Sequence, residues 1–346
     1  MQKRQKGDCR LIIYTIACCC ASHTIAGAPM AHRRLIVSAV LAAAILSDEC
    51  GNKLDLHTVD ISSSDSGDEL LAAFRGVGAA ALVDHGVDVD ATLAAGRALI
   101  DKTSAATKRR LNAKGSQRGY LARGAEAGAL GLREAKEGFA FGATGNHWPL
   151  CGAGHLRRAR AVLEGAHANF TRAARRVVAL AVAAGATRLE DCCDGDATEE
   201  ALSRLFAYDA YAQGFTGSSP HTDWGLLTLV VADDVAGGAG ALEFDDGGVW
   251  RKASAPRNAL IVNAGDFMAL AANTASPFHR VVLGPEKRLS LVYFFYPDSL
   301  TPIPPATESQ KQELSVLLCQ AETCSTERPG TFGELIASKW REVSRS

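Results

Sequence analysis

Several signatures of common protein classes are missing from this 346-residue sequence. The formal net charge is −1, and no basic stripe with interleaved aromatic residues occurs, which argues against a nucleic-acid partner. Neither a C-x-x-C pair nor an H-E-x-x-H motif is present, so two common zinc-site signatures are absent. No apolar run reaches the roughly 18 to 20 residues of a stable membrane span. A hydrophobic content of 47% with 22% charged residues is ordinary for a globular protein.

Cysteines are present, but they do not form a disulfide framework. Of ten in total, five lie within residues 1–50 and an odd number remains in the body of the chain. We therefore predict free thiols, with a Cys319–Cys324 disulfide only if the protein meets an oxidising compartment. The body cysteines are Cys151, Cys192, Cys193, Cys319 and Cys324.

Residues 1–50 differ from the rest and resemble a targeting leader. Basic residues at 3–6 and at 33–34 each precede a short apolar run, as in a secretory signal or an organelle presequence. The alternative is that Met30 is the true start and the preceding residues are a wrongly extended beginning. A leader predicts a secretory or organelle location, and without one the protein would be cytoplasmic.

The region 54–187 is predicted to be mainly helical, with a short strand at 54–61 and another at 79–83. Residues 155–185 place apolar side chains at helical spacing, which predicts a long amphipathic supporting helix. Further helices are predicted over 67–77 and 90–111, and a glycine-rich loop over 113–154.

From residue 201 to residue 300 the pattern changes to short strands separated by glycine and aspartate. This pattern predicts a jelly roll, that is, a distorted double-stranded β-helix, giving a mainly β fold with flanking helices. The tail 301–346 is predicted to be helical, over 308–322 and 331–345.

A histidine and an aspartate stand two positions apart, at His221 and Asp223, just before a predicted strand. In an extended chain such residues point to the same side, so both can reach one metal ion. His279, which also leads into an apolar strand, supplies a third ligand. Two histidines and one carboxylate are typical of non-haem Fe(II) oxygenase sites.

Arg288 and Ser290 share one face of another apolar strand. A buried arginine requires an anion, and its planar fork suits a carboxylate to which a hydroxyl adds a further hydrogen bond. The alternative is a structural ion pair with one of the chain's own acidic residues.

Residues 204–297 resemble the catalytic core of the isopenicillin-N-synthase-like 2-oxoglutarate/Fe(II)-dependent dioxygenases. The resemblance extends over about residues 54–346, and it rests on an ordered set of motifs rather than on any one of them. The matching motifs are HTDWGLLTL at 221–229, NAGD at 263–266, SPFHRV at 276–281 and RLS at 288–290.

This resemblance implies an enzyme that uses Fe(II), 2-oxoglutarate and O2, with ascorbate as a supporting reductant. It implies oxidation, by default hydroxylation, of a small organic molecule, with release of succinate and CO2. Arg288, Ser290 and Tyr208 would bind 2-oxoglutarate, and no catalytic residue is needed beyond the metal ligands. Trp224 stands where family members often contact substrate, and Phe139 could line the substrate entrance.

Three alternatives remain at this stage. One is an Fe(II) oxidase of the isopenicillin N synthase type, in which Arg288 and Ser290 hold a substrate carboxylate and no 2-oxoglutarate is needed. Another is a non-catalytic binding protein of the same fold, and the last is a zinc hydrolase. The intact ligand set disfavours the second, and the missing H-E-x-x-H motif disfavours the third.

Overall fold

A computed structural model describes most of the chain after the predicted leader. The described residues are 53–113, 117–124, 133–149, 154–211, 213–233, 241–307, 310 and 329–345. The leader at 1–50 and, apart from Gln310, the predicted helix at 308–322 lie outside them, as do Cys151, Cys319 and Cys324. Cys192 and Cys193 are free thiols, as predicted.

The longer helices at 67–76, 89–102 and 154–183 are amphipathic and pack on one side of the larger sheet. The longest, α4, buries a stripe from Leu156 to Ala181 and packs against α1, α2 and the sheet, as predicted for a supporting helix. The helices are α1 (Gly67–Gly76), α2 (Val89–Lys102), α3 (Ala105–Arg110), α4 (Gly154–Ala183), α5 (Ala197–Glu200), α6 (Asp266–Ala272) and α7 (Phe332–Arg345).

Two of these helices replace the single helix predicted over 90–111. Thr103 adopts an extended conformation, and the Ser104 side chain accepts a hydrogen bond from the Thr107 amide, which starts α3 as a new helix. The prediction of one continuous helix was wrong because this N-cap was not recognised.

The strands form the predicted jelly-roll core, and the fold prediction is confirmed. The larger sheet has the order β2-β3-β13-β10-β15-β7-β6-β4, and the smaller has the order β1-β12-β11-β14-β9, while β5 pairs with β8. The strands are β1 (Lys53–Asp55), β2 (Thr58–Asp60), β3 (Ala79–Val83), β4 (Gly119–Leu121), β5 (Arg133–Glu134), β6 (Lys136–Phe141), β7 (Leu202–Tyr208), β8 (Phe215–Thr216), β9 (Ser218–His221), β10 (Leu227–Ala232), β11 (Leu242–Asp246), β12 (Val249–Ser254), β13 (Leu260–Ala264), β14 (His279–Val281) and β15 (Arg288–Phe295).

Apolar side chains form two layers on the two faces of the larger sheet. One layer lies between this sheet and the helices and contains Phe170, Leu205 and Tyr293. The other lies between the two sheets and contains Phe206 and Phe244. Because Leu205 and Phe206 are neighbours on β7, the alternation of a strand sends them to opposite layers. The inner layer surrounds the site described below.

The prediction of a loop over 113–154 was wrong, since β4, β5 and β6 lie there. Strand β6 is buried on both faces and pairs with β7 along its length, so it shows no polar alternation. Gly138, which favoured a loop in the sequence, is needed for close packing, because a Cβ there would meet the Leu205 carbonyl oxygen at 2.4 Å.

Within the described part of the chain, none of the helices has the length and apolar character needed to cross a membrane.

Candidate metal centre

Two neighbouring strands of the smaller sheet bring the predicted histidines together. His221 ends β9 and His279 begins β14, and the two residues are direct partners in the antiparallel pairing of these strands. Their ring centroids are 4.3 Å apart. Residues that are 58 positions apart in the chain (279 − 221) thus become adjacent through strand pairing.

Asp223 completes a three-ligand cluster with the two histidines. Nε2 of His221 lies 3.7 Å from Oδ1 of Asp223, and Nε2 of His279 lies 3.6 Å from Oδ2. Ligand atoms of all three residues lie within 4.8 Å of one another, a spacing from which they can bind one metal ion. The structure therefore brings the predicted triad to one place.

Backbone carbonyls orient both imidazole rings. Nδ1 of His221 lies 2.7 Å from the Ser219 oxygen, and Nδ1 of His279 lies 3.0 Å from the Pro277 oxygen. A carbonyl only accepts hydrogen bonds, so each Nδ1 carries the proton in these contacts. The lone pair of each neutral ring is then on Nε2, the atom that faces Asp223, as in ligating histidines with an outer hydrogen-bond partner.

The Asp223 carboxylate is buried but remains ionised. Its burial alone would raise its pKa, but the nearby His279 and His221 and hydrogen bonds from Thr228 and Asn263 outweigh this effect and lower the pKa below its usual range. The Asn263 amide donates to Oδ2 at 2.9 Å. Asn263 therefore orients a side chain that can bind the metal ion.

Protonation of His279 is suppressed in the folded protein. Burial, together with the neighbouring His221, lowers its pKa to about 4. The ring is therefore neutral near pH 7 and can offer a lone pair to a metal ion.

Gly265 allows the chain to pack backbone against backbone behind Asp223. A Cβ on Gly265 would meet the Gly225 carbonyl oxygen at 2.3 Å, so the two segments could not lie this close with a larger residue at position 265. The amide of Asp266 donates to the Asp223 carbonyl oxygen at 2.8 Å. The Asp266 carboxylate accepts from Ser276 Oγ at 2.6 Å, which fixes the loop that leads to His279.

The triad lines one part of a cavity between the two sheets, and the predicted cofactor residues line another. Ser290 Oγ donates to Tyr208 Oη at 3.3 Å, and the Arg288 guanidinium lies 5.1 Å from the centre of the Tyr208 ring. The pairing of Tyr208 with Arg288 across β7 and β15 explains why these side chains meet. The cavity lining includes His221, Asp223, His279, Tyr208, Thr228, Asn263, Arg288 and Ser290.

Arg288 is a buried cation with no ion-pair partner in the described part of the chain. It is 8% exposed, and no described carboxylate lies within 4.0 Å of its guanidinium nitrogens. Burial lowers its pKa, an effect that Tyr208 and Asp233 oppose. The structural ion pair that the sequence left open is thus not observed among these residues.

The two residues expected near substrate lie in different surroundings. Trp224 follows the ligand Asp223 directly and packs edge-on against Trp340 of α7, with ring centroids 5.7 Å apart. Phe139 instead points into the helix-facing core, where it contacts Tyr120 and is 1% exposed. Since Phe139 does not line the metal cavity, its interpretation as a substrate contact has no support in this arrangement.

A buried ion pair that the sequence did not reveal supports the first ligand. Glu134 accepts a hydrogen bond from the Ser219 amide at 2.7 Å, and its other oxygen lies 2.8 Å from Lys136 Nζ. The carbonyl of the same Ser219 accepts from His221. Glu134 and Lys136 are two positions apart, so an extended chain places them on one side, and this pairing could be predicted from the sequence. Ser219, which donates to Glu134, is 85 residues away, and its contact could not be predicted in this way.

Comparisons with known proteins identify the same region. Residues 199–297 match the 2OG-Fe(II) oxygenase superfamily. The chain is 39% identical over 92 residues to Jasmonate-induced oxygenase 1 of Arabidopsis thaliana, which is 26% of this chain and 22% of that protein. It is 39% identical over 103 residues to Gibberellin 20 oxidase 5 of the same plant, covering 29% of this chain and 26% of the relative. The match thus spans about a quarter of these relatives' lengths.

Solved structures share the fold over a much longer stretch. JOX2, solved in complex with 2OG, Fe and JA, has a TM-score of 0.64 and 21% identity, covering 85% of this chain and 86% of that one. A 2OG-Fe(II) oxygenase family protein from Caulobacter crescentus also has a TM-score of 0.64 and 21% identity, covering 83% and 99%. The matched motifs, the three ligands and the shared fold thus agree: residues 199–297 match the 2OG-Fe(II) oxygenase superfamily, and the chain shares the fold of solved 2OG-Fe(II) oxygenases.

Proposed function

We propose that this protein is a 2-oxoglutarate- and Fe(II)-dependent dioxygenase that oxidises, by default hydroxylates, a small organic molecule. The observation that carries the proposal is a single cavity with two features. Three metal-ligating side chains lie in one part of it, and a buried arginine without a described carboxylate partner lies in another.

The donor set fits Fe(II). Two neutral imidazoles and one carboxylate on one side of an ion leave positions open for other ligands, the arrangement typical of non-haem iron oxygenases. Each imidazole has its Nδ1 proton committed to a carbonyl, so no ring rotation is needed before Nε2 can bind. His221, Asp223 and His279 would hold the metal. The bound iron supplies the redox chemistry for O2, with electrons from 2-oxoglutarate and release of succinate and CO2.

Arg288 would hold the far carboxylate of 2-oxoglutarate. Its guanidinium can give two parallel hydrogen bonds to a carboxylate, and the Ser290 hydroxyl can give another. Tyr208 lies within reach of both and would close that end of the cavity. A buried cation is stable only with an anionic partner, and the cosubstrate provides one.

The chain's own contribution to the reaction is positioning and exclusion of water. Asn263 and Thr228 fix the Asp223 carboxylate by hydrogen bonds, and apolar side chains line the rest of the cavity. No acid–base side chain is required, because the rate advantage comes from holding the reactants together in a dry site.

We further propose that the substrate lies near Trp224 and that the protein is a monomer without a nucleic-acid partner. This placement rests on the family resemblance, because the Trp224 ring packs on Trp340 and Trp224 is not among the residues that line the metal cavity. The relatives named above are a jasmonate-induced oxygenase and a gibberellin 20 oxidase, which supports a small organic substrate without specifying it.

The test is production of succinate by the full chain, supplied with Fe(II), 2-oxoglutarate and ascorbate, against a library of small organic molecules. We expect slow succinate formation that one substrate class stimulates. The absence of succinate from an iron-loaded sample with every compound would contradict the proposal. Substrate oxidation without 2-oxoglutarate would favour the oxidase alternative instead.

A further inference from the structure

We propose that the ion pair between Arg97 and Asp233 sets how strongly Arg288 binds the 2-oxoglutarate carboxylate, although neither residue of the pair lines that pocket. The proposal rests on the function proposed above for Arg288. It assigns a positioning role to two residues outside the cavity.

Asp233 lies opposite Leu289, the residue that follows Arg288 on the neighbouring strand β15. It follows the end of β10, and its carboxylate accepts a hydrogen bond from the Leu289 amide at 2.6 Å. Its own amide donates to the Leu289 carbonyl oxygen at 2.9 Å. The Asp233 side chain is 4% exposed, so its charge is poorly screened by solvent. Consistent with this position, Asp233 raises the pKa of Arg288 against the effect of burial.

Arg97 approaches the same carboxylate from helix α2. Its guanidinium nitrogen lies 2.7 Å from Oδ2 of Asp233, and half of its side chain is exposed. Both residues line a separate cavity of about 360 Å³, which shares three wall residues with the metal cavity: Val230, Ala232 and Ile261. A molecule bound at Arg288 therefore lies beyond this wall, and the ion pair acts on it through charge rather than contact.

The balance of charges gives the direction of the effect. With Arg97 in place, two cations and one carboxylate leave one positive charge for an incoming carboxylate to neutralise. Without Arg97, Asp233 already offsets Arg288, and the incoming carboxylate would add an excess negative charge to a buried region. Since such a charge is costly there, loss of Arg97 weakens binding of 2-oxoglutarate.

The experiment measures the Kd of 2-oxoglutarate for the Mn(II)-loaded full chain by calorimetry, which needs no turnover. The variants are Arg97→Gln, Asp233→Asn and the double variant. Arg257→Gln is the matched control, because Arg257 lines the same outer cavity but pairs with Asp90, at 3.9 Å.

We expect Arg97→Gln to raise the Kd roughly three- to tenfold, as for loss of one charge near a partly screened site. Asp233→Asn keeps the acceptor for the Leu289 amide, and it should leave the Kd unchanged or lower it. The double variant should lie within about twofold of the wild type, because both leave one net positive charge for the incoming carboxylate to neutralise. Arg257→Gln should match the wild type.

Two results would overturn the proposal while leaving the function intact. One is an Arg97→Gln variant with the same Kd as Arg257→Gln. The other is a double variant as weak as Arg97→Gln alone, since Arg97 would then not act through Asp233. A wild-type protein that binds Mn(II) but not 2-oxoglutarate would instead refute the proposed function itself.

Discussion

Replacing Arg288 by lysine separates the geometry of the cosubstrate site from its charge. Lysine keeps the positive charge on the inner face of β15, but its ammonium group cannot give a carboxylate two parallel hydrogen bonds. Arg288 is 8% exposed and has no carboxylate within 4.0 Å among the described residues, so the variant breaks no observed ion pair. Any effect on 2-oxoglutarate binding would therefore report the lost contact.

The size of the effect follows from the contact that is lost. A hydrogen bond to a charged group contributes about 1.5 to 3 kcal/mol. Since about 1.4 kcal/mol corresponds to a factor of ten, the apparent KM for 2-oxoglutarate should rise roughly ten- to a hundredfold. Ser290→Ala removes a neutral donor and should act in the same direction but more weakly. Iron affinity should change little in either variant.

The assay is succinate formed as a function of 2-oxoglutarate concentration, with Fe(II) affinity measured in parallel. Arg251→Lys is the control, because Arg251 already pairs with Asp246 at 2.8 Å on the hairpin β11–β12. An Arg288→Lys enzyme with the KM of the control would refute the cosubstrate site. Wild-type turnover without 2-oxoglutarate would show that Arg288 holds a substrate carboxylate instead.

Three further predictions concern the metal, acid stability and the leader. His221→Ala or Asp223→Ala should abolish Fe(II) binding and turnover with the fold retained, as checked by metal content and circular dichroism; undiminished iron in both would reject the triad. Burial lowers the pKa of His167 to about 4, whereas the residue in the unfolded chain titrates near 6.5. Because the unfolded state binds the proton first, the free energy of unfolding falls as the pH drops from about 6.5 to 4. In urea titrations at pH 7 and pH 5, His167→Gln should lose less stability than the wild type, and an equal loss would contradict this. A chain beginning at Asn52 should fold and turn over, and its insolubility beside a soluble full chain would show that residues 1–50 are structural.

The sequence predicted two pairs of site residues because one simple rule applies to them. Alternate residues of an extended chain share a side, which places His221 with Asp223 and Arg288 with Ser290. Both pairs do line one cavity, and Tyr208 joins them through its pairing with Arg288. Local spacing was sufficient for the two pairs, but not for His279 and Tyr208, which reach the site through strand pairing.

Partners from distant strands could not be predicted in the same way. Asn263 hydrogen-bonds Asp223 across 40 positions, and Glu134 fixes the backbone beside His221 across 85. Which residues meet depends on the register between strands that are far apart in the chain, and local spacing alone does not reveal it. Phe139 was predicted to line the substrate entrance because residues 113–154 were interpreted as a loop. The side-chain alternation of β6, which places Phe139 in the helix-facing core, was therefore not considered.

The unequal exposure of the two histidines has a consequence for how metal enters and leaves. The side chains of His279 and Asp223 are 8% and 6% exposed, whereas that of His221 is 39% exposed. A chelator in solution therefore reaches His221 first. Swinging its ring away breaks one hydrogen bond to Ser219 at the end of β9 and leaves the other two ligands in place. Metal exchange is then a local opening rather than an unfolding event, so a chelator should strip the site quickly from a chain that stays folded and ready to be reloaded.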